Sequence, residues 1–353
     1  MKKVTKTIDA VEKIAAQRSP VEKQLQHLRR LNAQLRGTIA RQDAQLGSRR
    51  EMTEMVVSAV EALEPYPRYR FTPPEKTGHE VTAVLKFSDW HIGEVIRADE
   101  TEGFGKFNWA IAQERVFSIV ESFAEWIATQ RHSYDIRELV ILAEGDFMSG
   151  NIHEELLATN EFPLPVQTAN AGALLSEATA RLAVHFDRVR LVEIGSDNHS
   201  RLQRKPQAKQ KVSNSMLFLT YAIANANLRN HRNVKIVQPK GMMHVETIAG
   251  WNFLTEHGDG IKSVLGIPFY GLERHRGREA VKRMRTGKGF DYISLGHYHV
   301  PGILSGNILM NGSLTGTNEF DHSCGRHAGP AQVSFLVHPR HKIFNWVAWS
   351  ATK

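Results

Sequence analysis

The sequence predicts an α/β domain behind a helical amino-terminal extension, and three observations carry that prediction. Beyond residue 79, short apolar runs alternate with stretches of helical periodicity, the pattern of strands and their covering helices. Several of those runs end on a glycine followed by Asp, His or Asn. Before residue 65 the periodicity is helical, and the change falls on PYPRYRFTPPEKTG, residues 65–78, where four prolines forbid a regular helix.

From Thr5 to Glu64 the chain is rich in Gln, Ala, Leu, Arg and Glu. With Leu25, Asn32, Ile39 and Leu46 at heptad position a, position d holds Val21, Leu28, Leu35 and Gln42, a seam interrupted near Gly47. An Asn at position a is satisfied best by its equivalent on a parallel partner, so Asn32 favours a homodimer over packing of this helix against the rest of the chain. Residues 1–64 are thus read as helical and dimerising, 65–78 as a semi-rigid linker, and 79–353 as one α/β domain.

Within that domain the runs VTAVLKFS, ELVILAEG, RVRLVEIG, VKIVQ, WNFLTEHG, DYISLGH, GNILMNG and AQVSFLVH are predicted strands. Helical periodicity covers Trp109 to Arg131, Ala171 to His185 and Asn214 to Arg229. About fifty residues follow the last polar motif and read as closing strands, so no separate carboxyl-terminal domain is expected.

Composition narrows the chemistry. Hydrophobic residues at 41% and charged residues at 23% are those of an ordinary globular chain. A net charge of +8 and a pI near 9.5 favour an acidic partner, nucleic acid being the commonest. The single cysteine, Cys324, excludes an internal disulfide framework and any multi-thiolate zinc site. The first twenty residues hold no apolar core of a signal peptide and no run approaches 18 apolar residues, so a cytoplasmic chain without a membrane span is expected.

The strand ends hold the chemistry. Asp89 and His91 stand two apart where the first run stops; side chains at i and i+2 of a strand share a face, so both reach one object, most simply a metal ion. Later runs end on Gly145-Asp146, on Gly195-Ser196-Asp197-Asn198-His199, on His257-Gly258-Asp259 and on Gly296-His297-Tyr298-His299. Ligand sites of open α/β sheets lie beyond the carboxyl ends of the strands, so five strands converge on one rim of Asp, His and Asn. Imidazole, carboxylate and amide without thiolate suit Mn²⁺, Fe or Zn²⁺, and Mg²⁺ alone less well. About seven such groups are too many for one tetrahedral ion, whereas two ions sharing a carboxylate account for them.

The ordered set D-x-H, G-D, N-H, H-G and G-H-x-H resembles the calcineurin-like metallophosphoesterase superfamily. The D-x-H-x-G opening and G-H-x-H closing look most like its DNA-repair nuclease branch, the Mre11 and SbcD type. That resemblance implies a four-layer α/β/β/α sandwich with a dinuclear centre, commonly Mn²⁺, at the strand ends. It implies that Asp89, His91 and His299 hold the first ion, that Asp146 bridges, and that Asn198, His257 and His297 hold the second. His199 is implied to contact the scissile phosphate and assist the leaving oxygen. Where the family carries an acid after that His, this chain has Ser200, and Asp197 is the candidate to take the acid's place.

The implied activity is phosphodiester hydrolysis by metal-bridged hydroxide attack, with a nuclease acting on DNA expected first. The alternatives are a phosphodiesterase or phosphatase acting on nucleotides or other small phosphoesters, and a coiled-coil scaffold that keeps the fold for binding alone. Two basic stretches favour nucleic acid: RLQRKPQAKQK, residues 201–211, with Arg201, Arg204 and Lys205, and GLERHRGREAVKRMRTGKG, residues 271–289. Residues 150–170 read as an insert overhanging the site, with His153 and Glu154 candidate substrate contacts. Trp90 is expected to pack, and Gly93 to permit a turn that leaves the centre open.

Overall fold

The computed structural model describes residues 20–62, 79–262, 268–325 and 327–350. The chain divides into two units, one ending at Val57 and the other beginning at Ser58. Helix α1 (Pro20–Glu61), most of it in the first unit, is continuous through Gly47, near which the sequence places an interruption of the heptad seam rather than of the helix. A single glycine costs a helix about 1 kcal/mol relative to alanine, too little to break one of 42 residues. Of the heptad positions, Asn32 and Leu35 are exposed; the other six side chains, residues 1–19 and the proline-rich linker lie outside the described residues.

Alternation along the strands sets the layers of the second unit. In β1 (His79–Phe87), Val81, Ala83, Leu85 and Phe87 join one apolar cluster while Val84 joins another. In β2 (Tyr134–Ala143), Leu139, Ile141 and Ala143 join the first and Val140 and Leu142 the second. Both faces of these strands are therefore buried, which is why they read as unbroken apolar runs.

The first cluster lies beneath α2 (Trp109–Gln130), α4 (Leu164–Ala183) and α5 (Leu217–Leu228). The second is shared by two sheets. The six-stranded sheet has the order β11-β10-β1-β2-β3-β4, with β3 (Arg188–Glu193) and β4 (Val234–Val237) parallel to β1 and β2, and with β10 (Ala331–His338) and β11 (Lys342–Ser350) antiparallel neighbours. The five-stranded sheet has the order β5-β6-β7-β9-β8, built from His244–Ile248, Trp251–Thr255, Tyr292–Leu295, Ile308–Met310 and Gly302–Leu304 respectively. A third cluster sets Leu272 of α6 (Phe269–Met284) against Leu254, Ile293 and Ile308 of this sheet. The layers thus run helices, sheet, sheet, helix.

Lys86 joins the two sheets. Fully buried on the inward face of β1, it donates to the carbonyls of Leu295 (3.1 Å) and Leu309 (2.7 Å) across the interface and lies 3.3 Å from Glu144. Burial lowers the pKa of Lys86, and burial raises that of Glu144 to about 6, each offset by the other's charge. Breaking such a pair leaves an uncompensated charge in the core.

All eight predicted strands are present; β5, β8 and β11 are not among the eight predicted runs. Helix α4 begins at Leu164 rather than Ala171, because Pro165 falls in its first turn, where a proline removes no intrahelical hydrogen bond. Residues 150–170 accordingly hold α3 (Glu154–Thr159) and the first turns of α4. Among the described residues no helix is long and apolar enough to cross a membrane.

Candidate metal centre

The β1–β2 ladder continues past the last strand residues and carries the first site residues with it. The Asp89 N–H donates to Gly145 O (3.0 Å), His91 N–H to Asp146 O (3.1 Å) and Ile92 N–H to Phe147 O (2.9 Å). Asp89 and His91 do not converge through strand pleating, as the sequence suggested. β1 ends at Phe87, and Asp89 (φ 55°), His91 (φ 48°) and Asp146 (φ 49°) are left-handed, as are His297 (φ 70°) and His299 (φ 59°). A left-handed non-glycine residue costs on the order of 1 kcal/mol or more, and five at one rim mark a site held against local preference.

Trp90, between the first two, is fully buried with its ring edge-on to Phe87 and Phe147 and its Nε1 3.3 Å from Gln332 Oε1. Gly93 (φ 101°) takes a conformation that favours glycine, and a Cβ there would stand 2.6 Å from Gln167 Cγ.

Three overlapping groups of side chains result, each with its donor atoms within 4.8 Å of one another: Asp89, His91 and His299; His91, Asp146 and His199; Asp146, His257 and His297. His91 Nε2 and His299 Nε2 face each other at 3.1 Å, and His299 Nε2 lies 3.5 Å from Asp89 Oδ1. His257 Nε2 is 2.9 Å from both Asp146 Oδ2 and Asn198 Oδ1. Asp146 belongs to two of the groups and is 1% exposed.

These residues fit a pair of divalent cations. Two imidazole nitrogens 3.1 Å apart share either a proton or a common cation, and the donors are N and O without sulfur. Asp89, His91 and His299 could hold one ion, and Asn198, His257 and His297 another, with Asp146 between.

A second set of contacts orients the first. His257 Nδ1 donates to Glu144 O (2.8 Å), which turns Nε2 to the centre. His199 Nδ1 donates to Ser149 O (2.6 Å), and its backbone N–H to Asp146 Oδ1 (3.0 Å). Glu94 Oε2 lies 3.7 Å from His91 Nδ1, and Asp321 Oδ2 3.9 Å from His299 Nδ1. Asn318 caps the short helix α7 (Glu319–Ser323) that carries Asp321 and donates to Glu94 Oε1 at 3.2 Å.

Asp197 does not take the place of the family acid beside His199. Its carboxylate accepts Asp146 N–H (2.8 Å), Ser200 N–H (3.0 Å) and Ser200 Oγ–H (2.7 Å), so Asp197 and Ser200 together fix the backbone of Asp146. Sequence reasoning missed Ser149, whose carbonyl has no side-chain signature, and Asp321. Glu94 had a signal, a carboxylate three residues after a candidate ligand.

Charge follows from burial and neighbours. Burial works to raise the pKa of Asp146, but His257 and His199 outweigh it and hold the carboxyl well below its usual range. Burial works to lower that of His257, and Asp146 overrides it, so the imidazole is held well above its ordinary value. Burial and the neighbouring histidines keep His91 well below its ordinary value, and burial with His257 brings His297 to about 4. Both are neutral near pH 7, whereas burial works to lower His299 but Asp321 and Asp89 override it and bring it to about 10, so His257 and His299 hold protons that a bound cation would displace.

The centre opens into a cleft of about 580 Å³. His153 lines it, its ring centroid 6.3 Å from that of His199. The other proposed substrate contacts sit differently. The Arg201 guanidinium donates to the carbonyls of Asn198 (2.9 Å), Gln203 (3.0 Å) and Arg204 (3.0 Å), tying its own loop. Arg204 pairs with Glu154 at 2.5 Å and Lys211 with Asp259 at 2.6 Å, while Lys205 is exposed. Residues 201–211 therefore present less free positive charge than their composition suggested.

No family model and no curated protein matches the chain. Solved structures do. Vps29 complexed with Zn²⁺ from Entamoeba histolytica is 12% identical, with 76% of this chain and 99% of that one covered at a TM-score of 0.28. Vacuolar protein sorting 29 from Cryptosporidium parvum is 14% identical, with 77% and 99% covered at 0.30. A conserved protein from Streptococcus pneumoniae described as a predicted phosphoesterase is 12% identical, with 51% and 90% covered at 0.25. The reading of the site rests on the side-chain geometry.

Proposed function

We propose that the chain is a dinuclear-metal phosphodiesterase that hydrolyses phosphodiester bonds of nucleic acid, DNA foremost. One observation carries the reading: a buried carboxylate, Asp146, is shared by two adjoining groups of candidate ligands, with His199 beside it at the floor of an open cleft. Divalent cations bound there would supply Lewis-acid charge to a phosphoryl group and activate a water.

The protein groups do the rest. Asp197 and Ser200 fix the Asp146 backbone, so the shared carboxylate needs no reorganisation when substrate arrives. His199, locked through Nδ1 by Ser149 O, keeps Nε2 as the nitrogen that stabilises the scissile phosphate and protonates the leaving oxygen. The order of motifs along the chain, nearest in pattern to the Mre11 and SbcD type, and the net charge of +8 support a polyanionic substrate.

Rates on single-stranded DNA, duplex DNA, a cyclic nucleotide and a phosphomonoester, each with Mn²⁺, test the proposal. DNA cleavage that is lost in EDTA and falls sharply in His199→Ala is expected. Faster hydrolysis of the cyclic nucleotide or monoester than of DNA would assign the site to small phosphoesters. Inactivity on all four with both ions bound would leave the fold a scaffold.

A further inference from the structure

More free positive charge is found on helix α6 and its C-cap, Arg285. Its acids are already paired with cations of the same helix: Glu273 with Arg276 (2.8 Å), and Glu279 with Lys282 (2.9 Å) and Arg283 (3.1 Å). Arg274, Arg278 and Arg285 are exposed, and among the described residues none of them pairs with a carboxylate. At 3.6 residues per turn these three fall within about 40° of arc. From Arg274 to Arg285 the stripe runs about 16 Å at 1.5 Å per residue, the rise of roughly five stacked nucleotides at 3.4 Å each.

Two further features define the stripe. Gly277 sits beside it, solvent-exposed in the helix interior, and a Cβ there would touch nothing within 4 Å. Packing does not require this glycine, and glycine disfavours a helix relative to alanine; its effect is a shallow groove lined by Arg274, Arg278 and Arg285. The helix also begins at the cleft: Phe269, 51% exposed, lines the candidate centre, and Tyr270, 66% exposed, lies under the Arg274 guanidinium at 5.9 Å.

We infer that the outward face of α6 is a track for the backbone of a single-stranded polynucleotide whose scissile end lies in the cleft. The arginines contact phosphates along this length, and Phe269 and Tyr270 offer faces for bases at the entrance. The inference rests on the proposed nucleic-acid reading and specifies where the strand runs. Charge complementarity selects the occupant: an unpaired cationic stripe with aromatic faces at one end suits a strand that carries both phosphates and bases.

The test uses the full chain and a fluorescent 20-nucleotide oligothymidylate in EDTA, with binding followed by anisotropy from 50 to 200 mM NaCl. Wild type is compared with the triple variant Arg274→Ala, Arg278→Ala, Arg285→Ala, all at exposed positions. Loss of three single-strand phosphate contacts lowers the slope of log K against log salt by about 2, so the variant loses about 20-fold less affinity over that salt range. Hydrolysis of bis(p-nitrophenyl) phosphate with Mn²⁺ stays the same in both proteins, since none of the three lines the centre. An unchanged slope overturns the track even if the small diester is hydrolysed. A polyglutamate of equal charge competing as well as the oligonucleotide also overturns it, and assigns the face to an acidic protein. No hydrolysis of any phosphoester by wild type, with the salt difference intact, would instead overturn the proposed activity and leave the track.

Discussion

The carbonyl oxygen of Ser149 lies 2.6 Å from Nδ1 of His199. A carbonyl only accepts, so Nδ1 carries a proton and Nε2 faces the substrate, where the doubly protonated ring is the form that can protonate a leaving oxygen. The group that orients this histidine is backbone, so its orientation needs no carboxylate at position 200. His199→Ala is expected to retain metal while kcat falls by roughly 100-fold or more, the usual weight of a positioned acid–base group. Metal content and turnover measured on the same preparation check this; equal loss of both would make His199 a ligand instead.

Glu94 and Asp321 stand behind the outer nitrogens of His91 and His299 at 3.7 and 3.9 Å. Loss of such supporting carboxylates typically lowers metal affinity about 10- to 100-fold. Glu94→Gln and Asp321→Asn should each weaken Mn²⁺ binding by that order, read by calorimetry, with little change in melting temperature of the metal-free protein. A large fall in that temperature with unaltered affinity would mark them as structural.

At Gly93, φ is 101° and a Cβ would press on Gln167. Gln167 in turn accepts the Gly150 N–H at 2.8 Å and donates to Phe162 O at 2.8 Å, so a displaced amide disturbs both strand-end loops. Gly93→Ala should destabilise by about 1–3 kcal/mol, seen as a lower urea midpoint.

Away from the centre, Glu193 is buried at the end of β3 and burial raises its pKa to about 8. The folded state then holds a proton that the unfolded chain releases near pH 4.5, so stability falls as pH rises from about 4.5 to 8. Glu193→Gln should match wild type near pH 4.5 and exceed it at pH 8 by on the order of 4 kcal/mol. Denaturant titrations at the two pH values read this directly, and an equal gain at both would refute the linkage.

The strands were legible because β-branched apolar runs buried on both faces leave an unbroken signal, and the site because each run stops on a polar group. Asp89 and His91 were placed together for the wrong reason: two left-handed residues, not the pleat, bring them to one point. Backbone conformation at a strand end has no periodicity to read. Composition also overstated residues 201–211, since it cannot show that Arg201 turns onto its own loop or that Arg204 meets Glu154. Helix α6 was the converse case, a basic segment whose free arginines appear only once its acids are seen to be paired.

The central claim is a two-ion centre bridged by Asp146. Electron paramagnetic resonance of the Mn²⁺-loaded protein, with the metal counted per chain, tests it most directly. Two ions with an exchange-coupled spectrum, replaced by an uncoupled signal of lower stoichiometry in Asp146→Ala, is the predicted result. A single uncoupled ion in the wild-type protein, with the Asp146→Ala spectrum unchanged, would contradict it.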